Sequence, residues 1–62
     1  MYCLLVVDDD RTVLHLVSRG FTAVGVEVLT ASDAHEGMRI LAEQRPKIDA
    51  LLLDVKLPEV SG

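Results

Sequence analysis

Asp8, Asp9 and Asp10 follow directly on the apolar run Tyr2-Cys3-Leu4-Leu5-Val6-Val7, and Asp54 closes another, Ala50-Leu51-Leu52-Leu53. Runs of this length are strands rather than helices, so both acidic groups stand at strand ends. Three or four carboxylates at the rim of an apolar sheet repel one another, and a proton or a cation must relieve that repulsion. Hard oxygen donors favour Mg²⁺ or Ca²⁺. Mg²⁺ is usually held by one or two carboxylates together with waters and phosphate oxygens, so the constellation suits phosphoryl chemistry. Taken singly, an Asp after a strand is commonly a helix cap or a turn residue, and Asp10 reads that way. One cap needs one carboxylate, which leaves Asp8 and Asp9 to be explained. Asp54 is the least easily dismissed, because Pro58 and Gly62 follow it in what reads as a loop.

The elements that must position these residues are legible in outline. A third short run, Val26-Glu27-Val28-Leu29-Thr30, carries Glu27 and reads as a strand nearer an edge. The first and third runs, apolar on both faces, read as central strands of a parallel sheet. Between the runs lie two helical patterns. Val13, Val17, Phe21 and Val24 recur at helical spacing after Asp10, a candidate N-cap, and Gly25 offers a left-handed stop. Ala34, Gly37, Met38 and Leu41 mark the inner face of a second helix, which Asp33 and Glu36 would open as a capping box and Pro46 would close. Met38 is assigned to core packing and Gly37 to a close approach of helix and sheet. His15 and His35 are assigned to solvent.

The order strand, helix, strand, helix, strand with right-handed crossovers gives an α/β chain, βαβαβ, with a three-stranded parallel sheet. With the two most apolar strands as neighbours the spatial order is 2-1-3. The second crossover then passes over the first strand and leaves a topological switch point between strands one and three, where open α/β sheets bind ligands. Asp8–Asp10 and Asp54 meet there.

Composition excludes other classes. The chain has 62 residues, half of them hydrophobic, ten acidic against six basic side chains and a net charge of -4. That is one small domain without the basic footprint of a nucleic-acid or anionic-membrane binder. The apolar stretch Met1–Val7 is too short to span a bilayer and lacks the flanks of a signal peptide. A single cysteine, Cys3, cannot form an internal disulfide, and it reads as a core residue in a reducing, cytoplasmic setting.

Beyond these readings the chain resembles the first half of a receiver domain of bacterial two-component response regulators, which has a flavodoxin-like fold. The matching pieces are Leu4-Leu5-Val6-Val7-Asp8-Asp9-Asp10, Ala31-Ser32-Asp33-Ala34 and Leu51-Leu52-Leu53-Asp54-Val55-Lys56-Leu57-Pro58 with Gly62, so residues 1–62 form one truncated receiver domain. The spacing of Pro58 and Gly62 after Asp54 makes the match specific. The resemblance implies that Asp54 is the phospho-accepting nucleophile, supplied by a sensor histidine kinase or a histidine-phosphotransfer protein. It implies Mg²⁺ held by Asp9 and Asp54 directly, by Asp8 mainly through water, and by the backbone carbonyl of Lys56. It implies a signalling domain rather than an enzyme.

A whole receiver is about twice this long, a usual domain size. The Ser or Thr and the Lys that its second half brings to the phosphoryl group have no counterpart in these residues. The third strand would then be a bare apolar edge, and such edges recruit partners, so a homodimer is expected of a stand-alone chain. Two other readings compete. A truncated receiver could act as a protein-interaction module without being phosphorylated. Asp8-Asp9-Asp10-Arg11-Thr12 also resembles the nucleophile motif of haloacid-dehalogenase-type phosphohydrolases, with Asp8 as nucleophile and Asp10 as general acid/base, although that leaves the Asp54 to Gly62 spacing unexplained.

Overall fold

The computed structural model describes residues 1–54, including the backbone but not the side chain of Asp54. Its elements are β1 (Cys3–Asp8), α1 (Arg11–Ala23), β2 (Glu27–Ala31), α2 (Ala34–Gln44) and β3 (Ala50–Asp54). The strands form a parallel sheet of order β2-β1-β3, as the sequence predicts. Leu4, Val6 and Asp8 of β1 stand level with Val28 and Thr30 of β2 and with Ala50, Leu52 and Asp54 of β3.

β1 is buried along its whole length, including Asp8. Side chains alternate across a strand, so the run divides its apolar residues between two layers. Leu4 and Val6 pack with Leu14 and Val17 of α1 on one face, while Leu5 and Val7 pack with Ala31, Ile40 and Leu41 on the other. The two helices therefore lie on opposite faces, and both rest on β1 and β2 without reaching β3.

The helix ends follow from local chemistry. Asp10 caps α1, its carboxylate accepting from the Thr12 N–H at 2.9 Å. The stop is Gly25, at φ 86°, a conformation that costs glycine nothing and other residues much. Asp33 caps α2 and accepts from the Glu36 N–H at 2.7 Å. No return bond from the Glu36 side chain forms among the described residues, so only half of the expected capping box is present.

Two packing expectations change. The inner line of α1 runs through Leu14 and Val17, whereas Phe21 is 40% and Val24 75% exposed. Val13, Leu14 and Leu16 are apolar on different sides of one turn, which leaves the phase of the stripe ambiguous in sequence. Met38 is 67% exposed and not core, because it lies on the flank of α2 that overlooks β3. The run in β3 stands as the apolar edge expected of it: Leu51, Leu52 and Leu53 remain about half exposed, since neither described helix covers them. Cys3, Gly37, His15 and His35 stand as expected, the first two buried and the histidines exposed.

The opposite end of the sheet is closed by Asp49. Its backbone N–H donates to the Cys3 carbonyl at 2.8 Å, and its carboxylate accepts from the Cys3 N–H at 2.7 Å. This reciprocal pair starts the β1–β3 ladder. Nearby, Lys47 pairs with Glu27 of β2. Burial, and secondarily the Glu27 carboxylate, pushes the Cys3 thiol above its ordinary value of 9.0, and the Glu27 hydrogen bond holds the Lys47 ammonium above 10.5. Both groups keep their protons more tightly folded than unfolded. Their contribution is therefore complete below the ordinary thiol value and is lost as pH rises through the raised ones. We expect a melting temperature that is flat from about pH 7 to 8 and falls above about pH 9, less steeply in Cys3→Ala. Calorimetric scans across that range check it, and equal slopes in both proteins would remove Cys3 as a cause.

Candidate functional site at the carboxyl ends of β1 and β3

The apolar run of β1 ends at Asp8 while the strand is still inside the protein, leaving the residue 4% exposed. A carboxylate so placed needs polar partners. One is present in the turn: the Asp10 N–H donates to Asp8 Oδ1 at 2.8 Å. The ion pairs among the described residues, Arg39–Glu43 and Lys47–Glu27, lie elsewhere, so no basic side chain among them neutralises Asp8.

Asp9 follows in the bend and is exposed. Asp10 is turned to the helix, its Oδ1 engaged by the Thr12 N–H. The three consecutive aspartates thus do three different things: Asp8 is buried at the strand end, Asp9 faces solvent at the rim, and Asp10 is a cap. Among the described residues no three His, Cys, Asp or Glu side chains converge as a ready-made metal centre. The capping bond is the role expected of Asp10, and it also occupies the residue that a hydrolase reading needs as acid/base.

Asp54 enters from the other strand. It ends β3 and is the Cα register partner of Asp8. Two residues 46 positions apart in sequence are brought side by side by a crossover that carries the chain over β1. The α1 and α2 connections leave this end of the sheet on opposite faces, so the junction of β1 and β3 is the switch point where open α/β sheets take ligands. Lys56 lies outside the described residues, as do Pro58 and Gly62.

A divalent cation fits this donor set. Asp8 has one carboxylate oxygen engaged by an N–H and lacks a cationic neighbour among the described residues, Asp9 is open to solvent beside it, and a third aspartate stands level on the next strand. All are hard oxygen donors, the type Mg²⁺ prefers.

Comparison with known proteins decides the family. A family model described as "Response regulator receiver domain" matches residues 4–62. The chain belongs to the response regulator receiver family. It is 46% identical over 59 residues to the transcriptional regulatory protein PrrA of Mycobacterium tuberculosis, covering 95% of this chain and 24% of that protein. It is 41% identical over 59 residues to the response regulator MprA of Mycolicibacterium vanbaalenii, with 95% and 25% covered. The crystal structure of a response regulator receiver domain protein from Clostridium thermocellum superimposes with a TM-score of 0.87 at 40% identity, over 100% of this chain and 49% of that one. The chain therefore spans about a quarter of these curated relatives and about half of the receiver of known structure. The fold is the flavodoxin-like α/β arrangement of receivers, and the phosphohydrolase alternative is not favoured.

The capping role of Asp10 can be separated from the site. Asp10→Ala should destabilise the protein by about 1 kcal/mol, whereas Asp10→Ser should restore most of that loss. Denaturant titrations of the three proteins check this; equal losses in both variants would show that the cap is not what Asp10 contributes.

Proposed function

We propose that the chain is a phosphoacceptor module of a two-component signalling system, and that Asp54 receives the phosphoryl group. The donor would be a phosphohistidine of a sensor histidine kinase or a histidine-phosphotransfer protein. An Asp54 carboxylate oxygen attacks phosphorus, the P–N bond breaks with its electron pair passing to the imidazole, and an acyl phosphate remains on the protein. Asp8, Asp9, Asp54 and the backbone carbonyl of Lys56 would hold Mg²⁺. The bound ion supplies neutralisation of the charge that builds on the transferred oxygens.

The observation that carries this reading is the register of Asp8 with Asp54 at the switch point of a receiver fold. Asp8 contributes a carboxylate whose position is held by the strand and by the Asp10 N–H, and Asp9 a solvent-open one beside it. The role is signalling rather than turnover of a substrate. A cytoplasmic setting agrees with the buried free thiol of Cys3, and no described helix is long and apolar enough to cross a membrane. The acidic balance argues against nucleic acid as a partner of these residues.

Intact mass after incubation with Mg²⁺ and a small acyl-phosphate donor tests the reading. We expect one added phosphoryl group, absent without Mg²⁺ and absent in Asp54→Asn. No adduct on a folded sample would favour an interaction module that works without phosphorylation.

For a stand-alone chain, the half-exposed Leu51, Leu52 and Leu53 of β3 support a second part of the proposal, a homodimer that pairs β3 with β3 across a two-fold axis. Sedimentation should show a dimer at high micromolar concentration that Leu52→Lys dissociates. A folded, strictly monomeric species in the unchanged chain would exclude it.

A further inference from the structure

The acidic end of β1 rests on a residue that the phosphoacceptor reading leaves unused. Gly37 is buried in α2, and a Cβ built there would stand 2.7 Å from Val7 Cγ2, with Cγ1 at 3.5 Å and Cβ at 3.7 Å. The first of these distances is a clash, so a side chain at position 37 must displace something.

Val7 has little room to yield toward β2. It is 3% exposed and stands against Ala31 of β2, and on the side of Leu53 it borders a small apolar cavity shared with Gly37 and Met38. Nor is α2 free to lift at this point. Only Ser32 and Asp33 separate the end of β2 from the first helical residue, and Asp33 is fastened to the first turn through the Glu36 N–H. The Gly37 N–H itself donates to the Asp33 carbonyl at 3.0 Å. Displacement that the cavity does not absorb has its next outlet along β1, in Asp8, whose Oδ1 accepts from the Asp10 N–H.

We propose that Gly37 is a positioning residue: by letting α2 seat directly on Val7 it sets the height of Asp8 and Asp9 at the rim of the sheet, and so their placement against Asp54. The coupling is mechanical and exists with or without a ligand. Its consequence for a divalent cation rests on the phosphoacceptor reading given above.

The test compares the full chain with Gly37→Ala, Val7→Ala and the double variant, by amide NMR without metal and then by Mg²⁺ titration. In Gly37→Ala the Asp8, Asp9 and Asp10 amide resonances should move, exchange of the Asp10 amide should quicken about tenfold, and Mg²⁺ affinity should fall about tenfold, the lower end for a disturbed supporting contact. Removing the contacted methyl groups should reverse this. The double variant should recover the wild-type turn resonances and affinity, even though its smaller core lowers its melting temperature. A lower melting temperature in Gly37→Ala with unmoved turn resonances would overturn the proposal, as would a double variant that fails to recover. If Gly37→Ala does not fold, Val7→Ala and the double variant must show matching turn resonances, and a difference between them overturns it. If the unchanged chain takes up no Mg²⁺, the cation reading fails alone, and the metal-free spectra still decide the role of Gly37.

Discussion

Everything in this molecule depends on the burial of β1. Among the described strands it alone has a neighbour on each side and a helix on each face, and its six residues are all withdrawn from solvent. A parallel strand in that position must be apolar on both sides, because each face meets a packed layer. Leu4 and Val6 supply one layer, Leu5 and Val7 the other. The strand can turn polar only where the layers end, and Asp8 is the residue at that limit. The same enclosure that stabilises the chain thus fixes where its chemistry can sit.

The second consequence is topological. Right-handed crossovers put α1 on one face as the chain moves from β1 to β2, and α2 on the other as it returns past β1 to β3. Both connections leave the carboxyl end of the sheet in opposite directions. Neither of these two connections crosses the rim between β1 and β3, and the backbone of Asp54 is delivered level with that of Asp8. No residue had to be placed there by a special device. An α/β chain of order 2-1-3 with acidic strand ends produces the site as a by-product of its winding.

That logic explains what could be read from the residues alone. Strand runs, the caps at Asp10 and Asp33, the stop at Gly25, the close approach at Gly37 and the strand order all rest on local signals, and all are present in the fold. The misreadings share a different cause. Phe21 and Val24 fit an apolar stripe as well as Leu14 does, because neighbouring apolar residues of α1 allow several helical phases, and only the sheet selects among them. Met38 looks like core by type, but burial requires a covering layer, and no described element lies over the flank of α2 that carries it. The bond between the Asp49 carboxylate and the Cys3 N–H carries no sequence signal, since an Asp before a strand reads as a turn residue whatever it reaches.

The two edges of the sheet differ in a way that bears on the site. β2 carries Glu27, paired with Lys47, and an exposed Thr30, the polar dress that discourages a further strand. β3 offers three half-exposed leucines and no such protection among its described side chains. Asp8 belongs to the strand held on every side, Asp54 to the strand held by one ladder. The spacing of the two carboxyl-bearing strand ends is therefore set by the β1–β3 register alone, anchored at its far end by Asp49 and Cys3. A strand added at the β3 edge would grip Asp54 from its second side while leaving Asp8 where it is.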